Sequence, residues 1–404
     1  MQRKTFITVA LAGALLSAPA FADSAGNALS LAARPGETEM YYVDSELKPG
    51  PRVSASSDNA ILRDLRRAAE AFDADWGDLP QSTLSEGETL RVGDRSVRVA
   101  QLRQRLGLSA GTSFDTDLAA RVRDYRKAHG LPAAAVVDAD MIRALNRGHS
   151  YYKRKIDLNI ERLEAIPADP GERYIVVDSA AQILTMYEDG KPVGTMRVVV
   201  GKETDPTPMM AGLIRYSEVR PYWNVPPDLV RRNIAPKVLA QGLPYIERTG
   251  FQPLSDWTEE AEPLDPKKVD WQAVADGDFD LRVRQLPGPG NGMGDIKFMF
   301  PNPLGIYLHD TPSRELFTED MRAFSAGCVR LQDAPRLARW LHDGDKPGEG
   351  SDEASLMVPL PKPVPVFITY LTAAPVDGRI EFRDDFYGRD ARLMSRVTAD
   401  FLDF

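Results

Sequence analysis

Glu188-Asp189-Gly190-Lys191 lies between two short β-rich runs, Ile183 to Tyr187 and Thr195 to Val200, and its reading decides the fold. An Asp-Gly pair between apolar stretches is a strong local hairpin signal, because both residues tolerate the positive φ that a tight turn demands. Upstream, Tyr174 to Val177 is a third such run. Downstream, Ile214 to Val219, Ile296 to Phe300, Gly305 to His309 and Val364 to Tyr370 continue the pattern. Short runs rich in Val, Ile and Tyr, broken by Asp, Gly and Pro, predict a mostly antiparallel β domain over 171–380 with few helices.

One stretch interrupts it. Between Val225 and Arg284 the strand pattern stops, and Pro226-Pro227-Asp228 opens a helix running from Leu229 to Leu239. This reads as an insertion over the β core, 225–284: either a cap on a site or an elaboration unrelated to substrate.

Towards the N-terminus the period becomes helical. Ile61, Leu62, Leu65, Ala69 and Phe72 predict an amphipathic helix within a scaffold segment, 23–85. A compact unit follows at 86–148. There Val97, Leu102 and Leu106 share one helix face and Leu118, Val122 and Tyr125 another, Gly130 and Pro132 end the second helix, and a third short helix closes at Asn146. Residues 149–170 read as a linker helix and 381–404 as a C-terminal tail. The overall class expected is α+β.

The first residues bear on compartment. Arg3 and Lys4, the apolar run Phe6 to Leu16 and Ala20-Phe21-Ala22 have the grammar of a secretory signal over 1–22, too short to span a bilayer as a stable helix. The expectation is export to the periplasm, with no transmembrane segment. A net charge of −9, with both signs mixed along the chain, argues against a nucleic-acid partner. The single cysteine excludes an intramolecular disulfide. An unpaired thiol in an oxidising compartment invites damage, so its retention points to a use.

That thiol sits in Phe324-Ser325-Ala326-Gly327-Cys328-Val329-Arg330, nineteen positions after His309 in Ile306-Tyr307-Leu308-His309-Asp310-Thr311-Pro312. A thiol becomes a nucleophile when a base or a positive charge raises its thiolate fraction. His309 is the base candidate, its unperturbed pKa being near neutrality. Arg330 is a permanent cation able to hold anionic groups. Gly327 permits a tight backbone approach, so main-chain N–H groups can face a developing oxyanion, and Ser325 can hold that loop. The other histidines, His129, His149 and His342, read as solvent-facing, and none pairs at zinc-site spacing. The ordinary fate of a free cysteine is a buried inert thiol; the flanking glycine and arginine and the export signal weigh against it here.

The order His, Cys, Arg separates this block from papain-like sequences, where cysteine comes first, and its short spacings separate it from sortases. It resembles the L,D-transpeptidase catalytic domain, the YkuD family, whose signature is a histidine followed by S-x-G-C-[IVL]-[RN]. Tyr222-Trp223-Asn224-Val225-Pro226, Met293-Gly294-Asp295-Ile296-Lys297-Phe298 and Phe300-Pro301-Asn302 look more narrowly like the YcbB-type subgroup. Many family members carry histidine where this chain has Ala326. The 86–148 unit resembles a three-helix peptidoglycan-binding module, with Arg103-Gln104 and Arg126 where glutamine is common.

The resemblance implies a YkuD-like β-sandwich and acyl transfer through a Cys328 thioester. The donor would be a peptidoglycan stem peptide that loses its terminal D-amino acid, and the acceptor a second stem, giving a 3→3 cross-link. It implies Cys328, His309, Gly327 and Ser325 as the catalytic group and Arg330, Tyr307, Tyr222 and Trp223 as substrate contacts, the last two being core aromatics in the plainer reading. It calls for no metal or organic cofactor, and names stem peptides and glycan as partners, with any partner synthase left open. Hydrolysis of the same thioester, 1→3 linkage and a non-catalytic wall-binding role stay open as alternatives.

Overall fold

The computed structural model describes residues 41–42 and 58–400. The export signal read at 1–22 lies outside the described residues.

Eight strands form the β core: β1 (Arg173–Asp178), β2 (Ile183–Glu188), β3 (Lys191–Gly201), β4 (Met210–Val219), β5 (Ile296–Met299), β6 (Leu308–His309), β7 (Val329–Leu331) and β8 (Leu356–Thr369). Their order is β4-β5-β6-β7-β3-β2-β1-β8, and β8 pairs back onto β4. The expected sandwich is corrected here: the ladder closes into a barrel-like core. Closure depends on β8, which runs parallel to β1 from Val366 and antiparallel to β4 on both sides of a register shift between Pro359 and Val364. A shift of this kind bends a strand and increases its twist. The pairings are mostly antiparallel, as the hairpin signals imply; in the circuit only β6–β7 and β1–β8 are parallel.

Two apolar cores flank this ladder. One gathers Val177, Leu184, Val198, Ile214, Phe298, Leu308, Val329 and Val366, with Leu337 and Leu341 of the helix Ala334–Leu341 packed in. The other joins α1 (Ala60–Trp76), α2 (Val97–Arg105), α3 (Thr116–Ala128) and α4 (Ala139–Glu164) to Tyr174, Phe367, Tyr370, Phe382 and Tyr387. Each of these helices starts on a side-chain cap, Asn59, Ser96, Asp115 or Asp138, that accepts from an N–H three residues on. The third helix of the 86–148 unit and the linker helix run on as α4, across a kink at Gly148, where φ is 74°. Among the described residues no helix is long and apolar enough to cross a membrane.

Two further expectations are corrected. Residues read as a tail are built into the core: Arg379–Phe382 pairs with Ala373–Val376, and Arg162 of α4 meets Asp390 at 2.6 Å in a buried ion pair. Nor do the three remaining histidines face solvent. His129 is buried, stacked on Tyr125 with centroids 3.7 Å apart, because α1 packs Phe72 and Trp76 across the end of α3. His342 is buried with Nε2 3.0 Å from Ser217 Oγ, and His149 is mostly covered beside Asp73.

The insertion folds on its own core. Trp223–Val225, Phe251–Pro253 and Val283–Gln285 form a separate three-stranded sheet. Val230, Ile234, Val238, Trp271 and Val274 pack beneath it. Arg232 ties the insertion to the loop after β3, meeting Asp205 at 3.0 Å.

Candidate active site

Side chains alternate across a strand, so one register fixes which residues share a face. In this barrel Glu218 of β4 pairs with Lys297 of β5, Lys297 with His309 of β6, and His309 with Arg330 of β7. Four ionisable residues thus form one row across four adjacent strands. Their apolar neighbours along the strands, Phe298, Leu308 and Val329, are fully buried in the barrel core on the other face. Tyr307 and Cys328 fall one pleat before His309 and Arg330, on the same face. His309 and Cys328 are therefore diagonal neighbours, with Cα atoms about 8 Å apart from ordinary strand spacings.

The segment before β7 is held as a tight loop. Gly327 has φ 109°, a conformation side chains rarely adopt, and a Cβ there would meet Ile306 Cδ1 at 3.0 Å. Ser325 Oγ donates to the Cys328 carbonyl at 2.6 Å and accepts from Gly327 N–H at 3.2 Å. The loop-holding role read for Ser325 is what this geometry gives. The Gly327 N–H is thereby engaged within the loop. Thr207 Oγ1 donates to the Gly327 carbonyl at 2.8 Å and accepts from Gly201 N–H at 2.8 Å, fixing the loop to the end of β3.

Cys328 is half-buried, and its thiol donates to the Gly305 carbonyl at 3.6 Å. Burial raises the thiol pKa above its ordinary value, outweighing a main-chain hydrogen bond from Tyr307 and the charges of Arg330 and Lys297, which pull it down. His309 is buried, with Nδ1 2.5 Å from the Asp310 carbonyl. A carbonyl can only accept, so that contact calls for a proton on Nδ1; the main chain of Met293 is a second hydrogen-bond partner of the ring. Burial, then the charge of Arg330, holds its pKa down to about 3, so the ring is neutral at physiological pH.

Asp310 has a second task. Its carboxylate accepts from Asp295 N–H at 3.0 Å and pairs with Arg314. Gly294, at φ 63°, leaves room for it: a Cβ there would lie 2.5 Å from Asp310 Cβ. The Met293-Gly294-Asp295 string is thus the wall against which the His309 turn is set.

Arg330 is largely buried, and its Nε is a covered donor with no hydrogen-bond partner among the described residues. Tyr307 is half-buried, its ring 5.4 Å from Lys297 Nζ. Tyr222 lies under the Arg284 guanidinium at 4.7 Å, and Trp223 packs on Phe251 at the edge of the insertion's core, with its ring against Gly292. Cys328, His309, Gly327, Ser325, Arg330 and Tyr307 are brought together; Tyr222 and Trp223 stand just before the insertion, Trp223 packed against its core. Sequence reasoning missed Glu218, Lys297, Asp310 and Thr207. Strand alternation could have found the first two, since both take the parity of His309 once the register is known.

Residues 172–366 match YkuD, the L,D-transpeptidase catalytic domain, so the resemblance read in the sequence is shown for that segment. A Haemophilus influenzae protein described as a "Putative L,D-transpeptidase" is 32% identical over 246 residues, 59% of this chain and 49% of that protein. The chain thus spans about half the length of the curated relative it matches. Among solved structures, an L,D-transpeptidase from Mycobacterium smegmatis is 17% identical, covering 49% of this chain and 58% of that one, with a TM-score of 0.24. L,D-transpeptidase 3 from Mycobacterium tuberculosis, in complex with a faropenem-derived adduct, is 13% identical, covering 49% and 60%, with a TM-score of 0.23.

Proposed function

We propose that this chain, whose residues 172–366 match the L,D-transpeptidase catalytic domain, joins peptidoglycan stem peptides through a thioester on Cys328. The observation that supports this is the β6–β7 pairing, which puts the single thiol on the same face as the imidazole of His309, one pleat away along the neighbouring strand. In the first half-reaction His309 takes the thiol proton and sulfur attacks the carbonyl of the third stem residue. The C–N bond to the terminal D-amino acid breaks, and its amine leaves with the proton from His309. In the second, the side-chain amine of another stem attacks the thioester, the C–S bond breaks, and His309 takes up the amine proton and returns it to the sulfur. The Cys328 N–H is the oxyanion donor in this scheme, since that of Gly327 is engaged. Arg330, with its unpartnered Nε, and Tyr307 are the substrate contacts.

We assign the chain to the YcbB-type subgroup on the motif strings quoted above, and its action to the periplasm on the signal grammar of 1–22. The unit at 86–148 is our candidate wall-binding module, and 225–284 our candidate cap.

The test is mass spectrometry of muropeptides after incubating disaccharide-tetrapeptide with purified protein. We expect 3→3 dimers from wild type and none from Cys328→Ala. Tripeptide without dimers would make the enzyme a hydrolase, 1→3 dimers would move the donor bond, and unchanged product from Cys328→Ala would contradict the proposal.

A further inference from the structure

We infer that Lys297, anchored by Glu218, is a positioning residue for the Cys328–His309 pair, its ammonium being the second fixed positive charge that holds the thiolate. This deepens the proposed function and rests on it. The cross-strand row runs Glu218, Lys297, His309, Arg330, so the imidazole is flanked on both neighbouring strands by a cation. Glu218 lies on the far side of Lys297 from the thiol. The pair, 2.8 Å apart, therefore presents its positive end to the site, with Glu218 further held by the Ser355 hydroxyl.

Both side chains are more than nine-tenths buried. A buried ion pair is a poor device for stability, because desolvation cancels most of its Coulomb gain and apolar side chains of similar volume do as well. Its value here is a charge fixed in a low dielectric beside a group that must ionise. The Lys297 ammonium also lies 5.4 Å from the ring of Tyr307, the residue that continues the β6–β7 register opposite Cys328. Among the described residues, the other ionisable groups near the thiol are Arg330, His309 and Tyr307. Arg330 lies on its own strand, with Glu315 of the turn Arg314–Thr318 acting on it, and His309 lies on β6. Arg314 is engaged with Asp310. Lys297 and Arg330 are both among the groups that lower the Cys328 and His309 pKa values, against burial in the first case and with it in the second.

The experiment is the pH profile of Cys328 alkylation by iodoacetamide, read as one mass increment because the chain has a single cysteine. In Lys297→Met the apparent thiol pKa should rise by about one unit, making alkylation about tenfold slower on the acidic limb. Lys297→Arg, which keeps the charge, should retain the wild-type profile. If Lys297→Met does not fold, Lys297→Met/Glu218→Gln leaves no buried charge unpaired and should still shift the profile upward. A profile that overlays wild type in the folded charge-removing variant, or failure of the arginine to restore it, overturns the inference. Wild-type protein that yields no muropeptide product overturns the proposed function instead, a result the alkylation profile does not depend on.

Discussion

At the scale of single residues, the thiol and imidazole were legible because their chemistry is rare in this chain: one cysteine and four histidines leave few combinations. Thr207 was not, since it lies 120 positions from the carbonyl it holds and carries no local signal. Its surroundings show how much depends on it. Thr207 N–H donates to Tyr387 Oη at 3.2 Å, Tyr387 donates to the Gly201 carbonyl at 2.5 Å, and Arg389 donates to the Thr207 carbonyl at 2.7 Å. Thr207→Val keeps the shape and deletes the hydroxyl, stranding Gly201 N–H and Gly327 C=O. Leaving buried polar groups unpaired should cost about 2–3 kcal/mol in denaturant unfolding. Acylation of Cys328 should slow along with it, because the loop carrying the thiol loses its tether. Acylation at the wild-type rate would show that the tether is structural only.

At the scale of elements, hairpin grammar placed β1, β2 and β3 closely, while β6 and β8 were misjudged in opposite directions. The run 305–309 shortens to Leu308–His309 because Asn302 takes up the Ile306 N–H and carbonyl in a turn. Strand β8 begins at Leu356, eight residues before the predicted start, although prolines stand at 359, 361, 363 and 365. At every second position they withdraw N–H groups from one edge alone, and β1 pairs only from Val366 on. The insertion's bounds were legible because strand alternation stops and resumes there; its tie to the barrel was not. Arg232 holds the Asp205 carboxyl down to about 2. A depressed carboxyl contributes stability above its unfolded pKa, near 3.8, and loses it as pH falls towards 2. The pair is part-exposed, so it should contribute less than about 1 kcal/mol. Arg232→Ala should therefore raise hydrogen exchange in Ala235–Gln241 severalfold at neutral pH and leave β4 and β5 unchanged. No change in the insertion would remove the latch from the account.

At the scale of the whole molecule, the helical unit, the β ladder and the C-terminal segment share one core, from Leu62 through Tyr174 to Tyr387. Helical periodicity gave α1 to α3 but could not show this sharing, since which faces meet is a property of packing at long sequence separation. The same core explains why His129 is buried, and why a segment read as a tail reaches the tether of the Cys328 loop, where Tyr387 meets Gly201 and Thr207. The C-terminal segment thus braces the loop that carries the thiol, where the proposed chemistry makes one bond, from an acyl carbon to Cys328 sulfur. The most direct measurement is the intact mass of the full chain after incubation with a carbapenem, whose strained lactam carbonyl replaces the donor carbonyl. Wild-type protein should gain one acyl mass and Cys328→Ser none; an adduct that persists in Cys328→Ser, or none on wild type, would contradict the account.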